Sequence, residues 1–258
     1  MKRTLIMAAA TTLMFCAAMP LDARGTRDDS RHHPSFVEND GGFGIEFGYV
    51  HTTFYEKEVL TEGSNKQSFP LDGFQIGVNY DLPIIHKTLY FQPGLYYVYG
   101  NSFSSMKKTE FANARVSSSH SDHSLNIPLK FKYTYDITRV VKITADLGPT
   151  LSFGLANNYK FTTKIEDKSL VYRYNAYSGK VHTNMDAVQS EIISKMTPNS
   201  SYQIFDVLVG AGVGVELWDI LGFRLSYEYG CVNRASKANR DFFKIHKDLL
   251  NLSVSVRF

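Results

Sequence analysis

Apolar and polar residues alternate one by one in segment after segment of this chain. Phe43, Ile45, Phe47 and Tyr49 sit on odd positions against Gly44, Glu46 and Gly48. Phe74, Ile76, Val78 and Tyr80 alternate with Gly73, Gln75, Gly77 and Asn79. The last nine residues put Leu250, Leu252, Val254, Val256 and Phe258 on one face and Asn251, Ser253, Ser255 and Arg257 on the other. A period of two is the pattern of a β-strand with one dry face and one wet face. Further segments read the same way at about 89–99, 125–135, 141–153, 205–217 and 221–231, making eight strands. Each is near the roughly ten residues that a tilted strand needs to cross a bilayer.

The connections carry a second pattern. Long polar stretches follow the odd-numbered strands: Tyr55 to Ser68, Asn101 to His123, Gly154 to Ser201 and Val232 to Lys247. Short links follow the even-numbered ones: Asp81 to Thr88, Asp136 to Arg139 and Trp218 to Ile220. Strict alternation of long and short links is the habit of a membrane barrel with long extracellular loops, short periplasmic turns and both termini in the periplasm. The sequence therefore predicts an all-β protein: an eight-stranded antiparallel up-and-down transmembrane β-barrel. In the longest link, Met185, Val188, Ile192 and Met196 recur at helical spacing, which fits either a short helix or a loop.

Alternation alone does not say which face points outward. Volume does. The dry set includes Phe43, Phe47, Tyr49, Phe74, Tyr80, Phe91, Tyr97, Tyr99, Phe131, Tyr133, Phe153, Phe205, Phe223, Tyr227 and Phe258. An eight-stranded barrel has an interior only just filled by side chains, so this many rings must lie outside. The wet set is rich in glycine and serine and holds Glu46, Lys130, Lys132, Lys142, Asp146, Asp206, Glu216, Arg224, Glu228 and Arg257. Buried charges of both signs imply a lumen plugged by its own ion pairs. Only Asp72, at a rim, puts charge on the dry face. Pro93, Pro128 and Pro149 fall inside strands that have no edge, and mark bulges or displaced boundaries.

The amino end supplies an address. Lys2 and Arg3 precede an apolar run from Leu5 to Ala18 and a small-residue exit at Ala18 or Ala23, the layout of a signal peptide over residues 1–23. Phe15, bulky, stands before Cys16 where lipoprotein processing needs a small residue. Residues 24–41 read as a polar periplasmic lead-in, and 42–258 as the barrel domain. Loss of the leader removes Lys2, Arg3 and Asp22 and lowers the net charge from +3 to +2, leaving no basic field for nucleic acid. It also leaves Cys231 alone, so no intramolecular disulfide forms. Leu252, Val254, Val256 and Phe258 form the terminal pattern expected to be read by barrel-assembly machinery. Outer-membrane lipid is the other expected partner.

Several runs resemble the PorT-like family of outer-membrane β-barrel, porin-family proteins of Gram-negative bacteria. They are Tyr90-Phe91-Gln92-Pro93-Gly94-Leu95-Tyr96-Tyr97, Leu125-Asn126-Ile127-Pro128-Leu129-Lys130-Phe131-Lys132-Tyr133 and Ala145-Asp146-Leu147-Gly148-Pro149. Val209 to Glu216 and Leu225 to Gly230 are similar as well. The resemblance implies a barrel and accounts for the prolines. It carries no catalytic motif. Its namesake assists a secretion system, which makes an extracellular or secretion-system partner an open expectation.

Candidate chemistry is sparse. Ser118-Ser119-His120-Ser121-Asp122-His123-Ser124 contains nucleophile, base and carboxylate types. Neighbouring strand residues point to opposite faces, so one short run rarely makes a triad, and a polar loop yields such clusters by chance. His120, His123 and Asp122 with His32 or His33 lack metal-ligand spacing. His51 reads as an interfacial histidine. Tyr172, Tyr174, Tyr177 and Lys180 suit either recognition or a loop folded on itself. Gly210, Gly212 and Gly214 lie on one strand face with no helix start after them, so they are lumen clearance and no phosphate loop. No cofactor and no catalytic residue is expected. A structural or surface-binding protein comes first, a narrow solute pore second and a rim hydrolase third.

Overall fold

A computed structural model describes residues 41–59, 66–85, 87–102, 109–111, 114–165, 168–184 and 201–258. The leader, most of the polar lead-in, and the Met185–Met196 periodicity lie outside the described residues.

Among the described residues eleven strands form one antiparallel sheet: β1 (Gly42–Glu58), β2 (Lys66–Ile85), β3 (Leu89–Asn101), β4 (Thr109–Phe111), β5 (Ala114–Asp136), β6 (Val141–Ile165), β7 (Lys168–Asn175), β8 (Val181–Thr183), β9 (Phe205–Leu217), β10 (Leu221–Gly230) and β11 (Phe243–Arg257). Eight of them close a ring in the order β1-β2-β3-β5-β6-β9-β10-β11, and β11 returns to β1 from Gly44↔Arg257 to Glu58↔Phe243. Closure removes every edge within the ring, which satisfies the backbone amides in a medium that offers no water. Among the described residues no helix is long and apolar enough to cross a membrane.

The dry face points outward. Phe43, Ile45, Phe47, Tyr49, Ile76, Tyr80, Phe131, Tyr133, Phe223, Leu252, Val254 and Phe258 are all exposed on the outer wall. This belt runs from the short-turn end to Tyr49, Phe74, Tyr97, Leu125, Phe153, Phe205, Tyr229 and Leu250, which we take as the limits of the membrane-spanning segments. Its long-loop margin is a girdle of tyrosine and histidine. Tyr49 donates to Asp72, whose carboxylate is 2.7 Å from His51 Nδ1. Tyr97 bonds His123 Nδ1 at 2.6 Å, Tyr227 donates to Asp248 at 2.7 Å, and Tyr229 stacks on His246. Such rings suit the interface, where one end of the side chain is dry and the other wet.

Much of what reads as long polar loop is strand. β1 and β2 run on together past Tyr55 and Ser68, β5 begins at Ala114, β6 reaches Ile165 and β11 begins at Phe243. Beyond the bilayer the outer wall is wet too, so the alternation that marks a strand fades while the ladder bonds persist. β2 also overruns its expected end, and Asp81 lies within it. The prolines sit where ladders break. The β3–β5 register skips from Pro93↔Leu129 to Tyr96↔Asn126, and the β5–β6 register skips from Pro128↔Thr150 to Phe131↔Leu147.

Candidate functional site

The lumen is packed in layers of charge. Nearest the short-turn end, Lys132 Nζ is 3.0 Å from Asp81 Oδ2 and 2.5 Å from Glu216 Oε1. Arg257 pairs with the same two carboxylates, and Gln92 donates to Asp81 Oδ1 at 2.6 Å. Above it, Arg224 grips Asp146 with two parallel bonds of 2.6 and 2.7 Å and lies 3.7 Å from Glu46. Glu46 accepts from Gln75 at 2.9 Å and from Tyr96 at 2.9 Å. Glycine makes room for these groups. A Cβ at Gly212 would stand 2.5 Å from Asp146 Oδ2, and one at Gly77 or Gly94 would stand 2.6 Å from the Tyr96 ring.

Lys130, 1% exposed, bonds Glu228 at 2.7 Å and the Gly148 carbonyl at 2.9 Å. Thr150 donates to the same carboxylate. Lys142 stands apart from these layers. It is half-buried at the short-turn rim, 2.5 Å from Asp219 in the β9–β10 turn. Asp206 is likewise removed, lying near the other end, 3.7 Å from Arg234. Spaces left among the layers measure about 20 Å3 each, room for a single water.

Toward the long loops the lumen turns apolar. Val50, Val98 and Leu249 point inward and pack together. Beyond them Phe54, Leu71, Tyr174, Ala176, Tyr177, Tyr202, Ala235 and Ile245 form a hydrophobic core across the mouth. The parity that holds apolar residues outside in the membrane is reversed here, because the surroundings outside are now water.

One charged cluster is buried under this cap. Asp122 receives bonds from Lys247 Nζ at 2.9 Å, Asn157 Nδ2 at 3.0 Å and Tyr177 OH at 2.8 Å. Lys247 also donates to Ser124 Oγ. Arg234, wholly buried, donates to Tyr177 OH at 2.6 Å and lies over the rings of Phe54 and Tyr177. Burial raises the Asp122 carboxyl, but Lys247 and Arg234 outweigh it and hold the group well below the usual carboxylate range. Burial pushes the Tyr202 hydroxyl up to about 12.

His120 lies flat on Tyr159, with ring centroids 4.1 Å apart. Its Nε2 donates to Asn157 Oδ1 at 3.0 Å, while buried Nδ1 has no hydrogen-bond partner. Burial lowers its pKa, which favours the neutral ring.

The Ser118–Ser124 run is therefore neither loop nor triad. It lies in β5, with His120, Asp122 and Ser124 inside and Ser119, Ser121 and His123 outside. The His120 ring bonds an amide and the His123 ring a phenol, while the Ser102 hydroxyl accepts from the His120 backbone amide rather than meeting its ring. Tyr174 and Tyr177 fold into the cap, while Lys180 stays exposed. Among the described residues no group of three or more His, Cys, Asp or Glu could hold a metal.

Asp81, Lys247, Asp122 and Arg234 are structural charges that sequence reading misses. Asp81 continues the wet parity of Gly73, Gln75, Gly77 and Asn79, a signal masked by the turn-like Asp-Leu-Pro that it opens. Arg234 lies outside any strand, so no periodicity marks it.

Comparison with curated protein sequences gives no match. Solved structures with a similar chain course include Ail, the attachment invasion locus protein of Yersinia pestis, in complex with the heparin analogue sucrose octasulfate. It is 13% identical, covers 85% of this chain and 99% of its own, and has a TM-score of 0.39. Neisserial surface protein A (NspA) is 11% identical over 84% and 97%, with a TM-score of 0.40. The outer membrane protein OprG from Pseudomonas aeruginosa is 9% identical over 84% and 96%, with a TM-score of 0.37. The sequence itself matches the outer membrane protein beta-barrel domain over residues 8–258. With a closed ring of lipid-facing strands and a match across nearly its whole length, the chain belongs to the outer membrane protein beta-barrel domain family of Gram-negative outer membranes.

Proposed function

We propose that this protein is a sealed, non-enzymatic outer-membrane barrel that acts at the cell surface through the face formed by its long connections. In this reading the short turns and both termini are periplasmic. The observation that carries it is the lumen: ion-paired layers from Asp81 to Glu228, then an apolar constriction at Val50, Val98 and Leu249, then the aromatic cap. An ion or sugar crossing such a barrel has to break buried ion pairs and displace a hydrophobic core. Among the described residues the lumen keeps only spaces the size of a single water, so in this reading contact with partners falls to the outside.

Single-channel recording in planar bilayers tests the proposal. The intact protein is expected to give no stable conductance steps, and steady steps at ordinary voltages would establish the pore reading instead. The PorT-like resemblance supports a narrower version, an accessory role in a secretion assembly. Pull-down of the intact protein from its native membrane reads that version directly. An esterase and deacylase screen with His120→Ala and His123→Ala controls addresses the hydrolase alternative, and background activity throughout is the expected result.

A further inference from the structure

Beyond the lipid belt, the outer wall of β3, β5, β6, β7 and β8 carries a groove of about 390 Å3. We propose that this groove binds the phosphorylated sugar headgroup of a glycolipid in the outer leaflet. The inference rests on the surface orientation proposed above and names the ligand class of that surface.

The groove is built in rows by the strand register. Lys160 of β6 lies directly opposite Arg173 of β7, which lies directly opposite His182 of β8. Lys180 adds a further cation, and among the described residues no carboxylate lines the groove. Like charges placed opposite each other destabilise a ladder. Within the barrel every buried cation has a carboxylate or ring beside it. Here Lys160, Arg173 and Lys180 have no carboxylate partner among the described residues. An anion seated in this row would relieve the repulsion, and a phosphate accepts bonds from several such donors at once.

The neighbouring row is neutral and rich in hydrogen-bonding groups. Asn101, Ser121, Asn158 and Asn175 lie side by side across four strands, and Asn175 Nδ2 bonds Asn158 Oδ1 at 3.1 Å. Amides and hydroxyls repeated at strand spacing of about 4.8 Å offer a row of donors and acceptors that suits a ligand carrying several hydroxyls and is more than a simple lipid phosphate requires. Tyr99 closes the lower side and pairs across the ladder with His123, a member of the interfacial girdle. The groove therefore opens one row beyond the aromatic margin of the belt, at headgroup height. That position favours a membrane glycolipid over a soluble saccharide.

The test uses the full-length protein folded into phosphatidylcholine vesicles, alone or with diphosphorylated lipid A or dephosphorylated lipid A. Heat-modified gel mobility gives the unfolding midpoint, and lipid A retained on purified protein gives relative affinity. Diphosphorylated lipid A is expected to raise the wild-type midpoint. Lys160→Gln/Arg173→Gln/His182→Gln should lose that rise and retain lipid A about tenfold less well, a change set by losing charge-assisted bonds. Equal retention by both proteins, or equal binding of the dephosphorylated lipid, overturns the proposal. Competition by free glucosamine 6-phosphate at comparable affinity overturns the membrane source. In pure phosphatidylcholine, Arg173→Gln should melt at or above wild type because an opposed charge is gone. A clearly lower midpoint would show that the row is structural and overturn its binding role. Conductance is read in parallel: if wild type conducts, the sealed-barrel reading fails, while the lipid result stands or falls on its own readout.

Discussion

The ammonium of Lys247 lies 2.9 Å from the carboxylate of Asp122, a residue 125 positions earlier in the chain. The contact crosses the lumen from β11 to β5 beneath the aromatic cap, with both side chains almost fully buried. Removing one partner strands the other charge in an apolar site, which costs about 3–5 kcal/mol. Lys247→Met and Asp122→Asn should each lower barrel stability by that order in urea titrations of the vesicle-embedded protein. The double variant should recover a clear part of the loss. Because Asp122 titrates below its unfolded value, the pair's contribution is complete above about pH 4 and lapses only as the pH falls further.

His120 gives the stability curve a second limb at milder pH. Its folded pKa is lowered, so between that value and about 6.5 the unfolded chain binds a proton that the native state refuses. Stability should therefore be full above about pH 6.5 and decline as the pH drops below it. Protonation would place an N–H at Nδ1, where no acceptor waits. His120→Gln, which does not titrate, should flatten this limb. Urea midpoints measured across the range for both proteins check the sign and the residue.

Gly212 is the clearance beneath the Arg224–Asp146 fork. A valine there would drive its Cβ to 2.5 Å from Asp146 Oδ2 and 2.9 Å from Arg224 Nε. Both groups are held on two sides and have little freedom to retreat. Gly212→Val should cost at least about 1–3 kcal/mol. Gly212→Ala should show a smaller loss of the same kind, read as a lowered temperature of heat modification on gels.

Cys231 reports the orientation of the barrel. It follows β10 at the long-loop end, is exposed, and its thiol makes a 3.7 Å contact to the Tyr229 carbonyl. A membrane-impermeant maleimide should label it on intact cells, with Cys231→Ser as the blank. Labelling that appears only after the outer membrane is breached would place the long connections in the periplasm.

The ring was legible where the bilayer imposes its own contrast. Phe43 to Tyr49 and Leu250 to Phe258 alternate because one side faces hydrocarbon and the other a narrow polar interior, so eight strands and their outward face follow from period and volume. The strand extensions were hidden for the converse reason. At Thr52-Thr53-Phe54-Tyr55 both sides are mixed, and Phe54, inward and fully buried, reverses the parity of Phe47. The candidate lumen charges Lys130, Lys132, Asp146, Glu216, Arg224, Glu228, Glu46 and Arg257 lie together inside the ring, whereas Lys142 pairs at the rim and Asp206 under the cap.

Local order along the chain was enough to settle the identity, number and sidedness of the eight strands of the ring, but not β4, β7 and β8 beyond it, since the ring's pattern depends on neighbours two residues apart and on a solvent that changes at the membrane surface. The partner of each luminal charge, the closure of the mouth by Phe54 and Tyr202, and the basic row on the outer wall depend on register between strands far apart in sequence. A one-residue slip would exchange every inward group for an outward one, and only the folded ring fixes which register is kept.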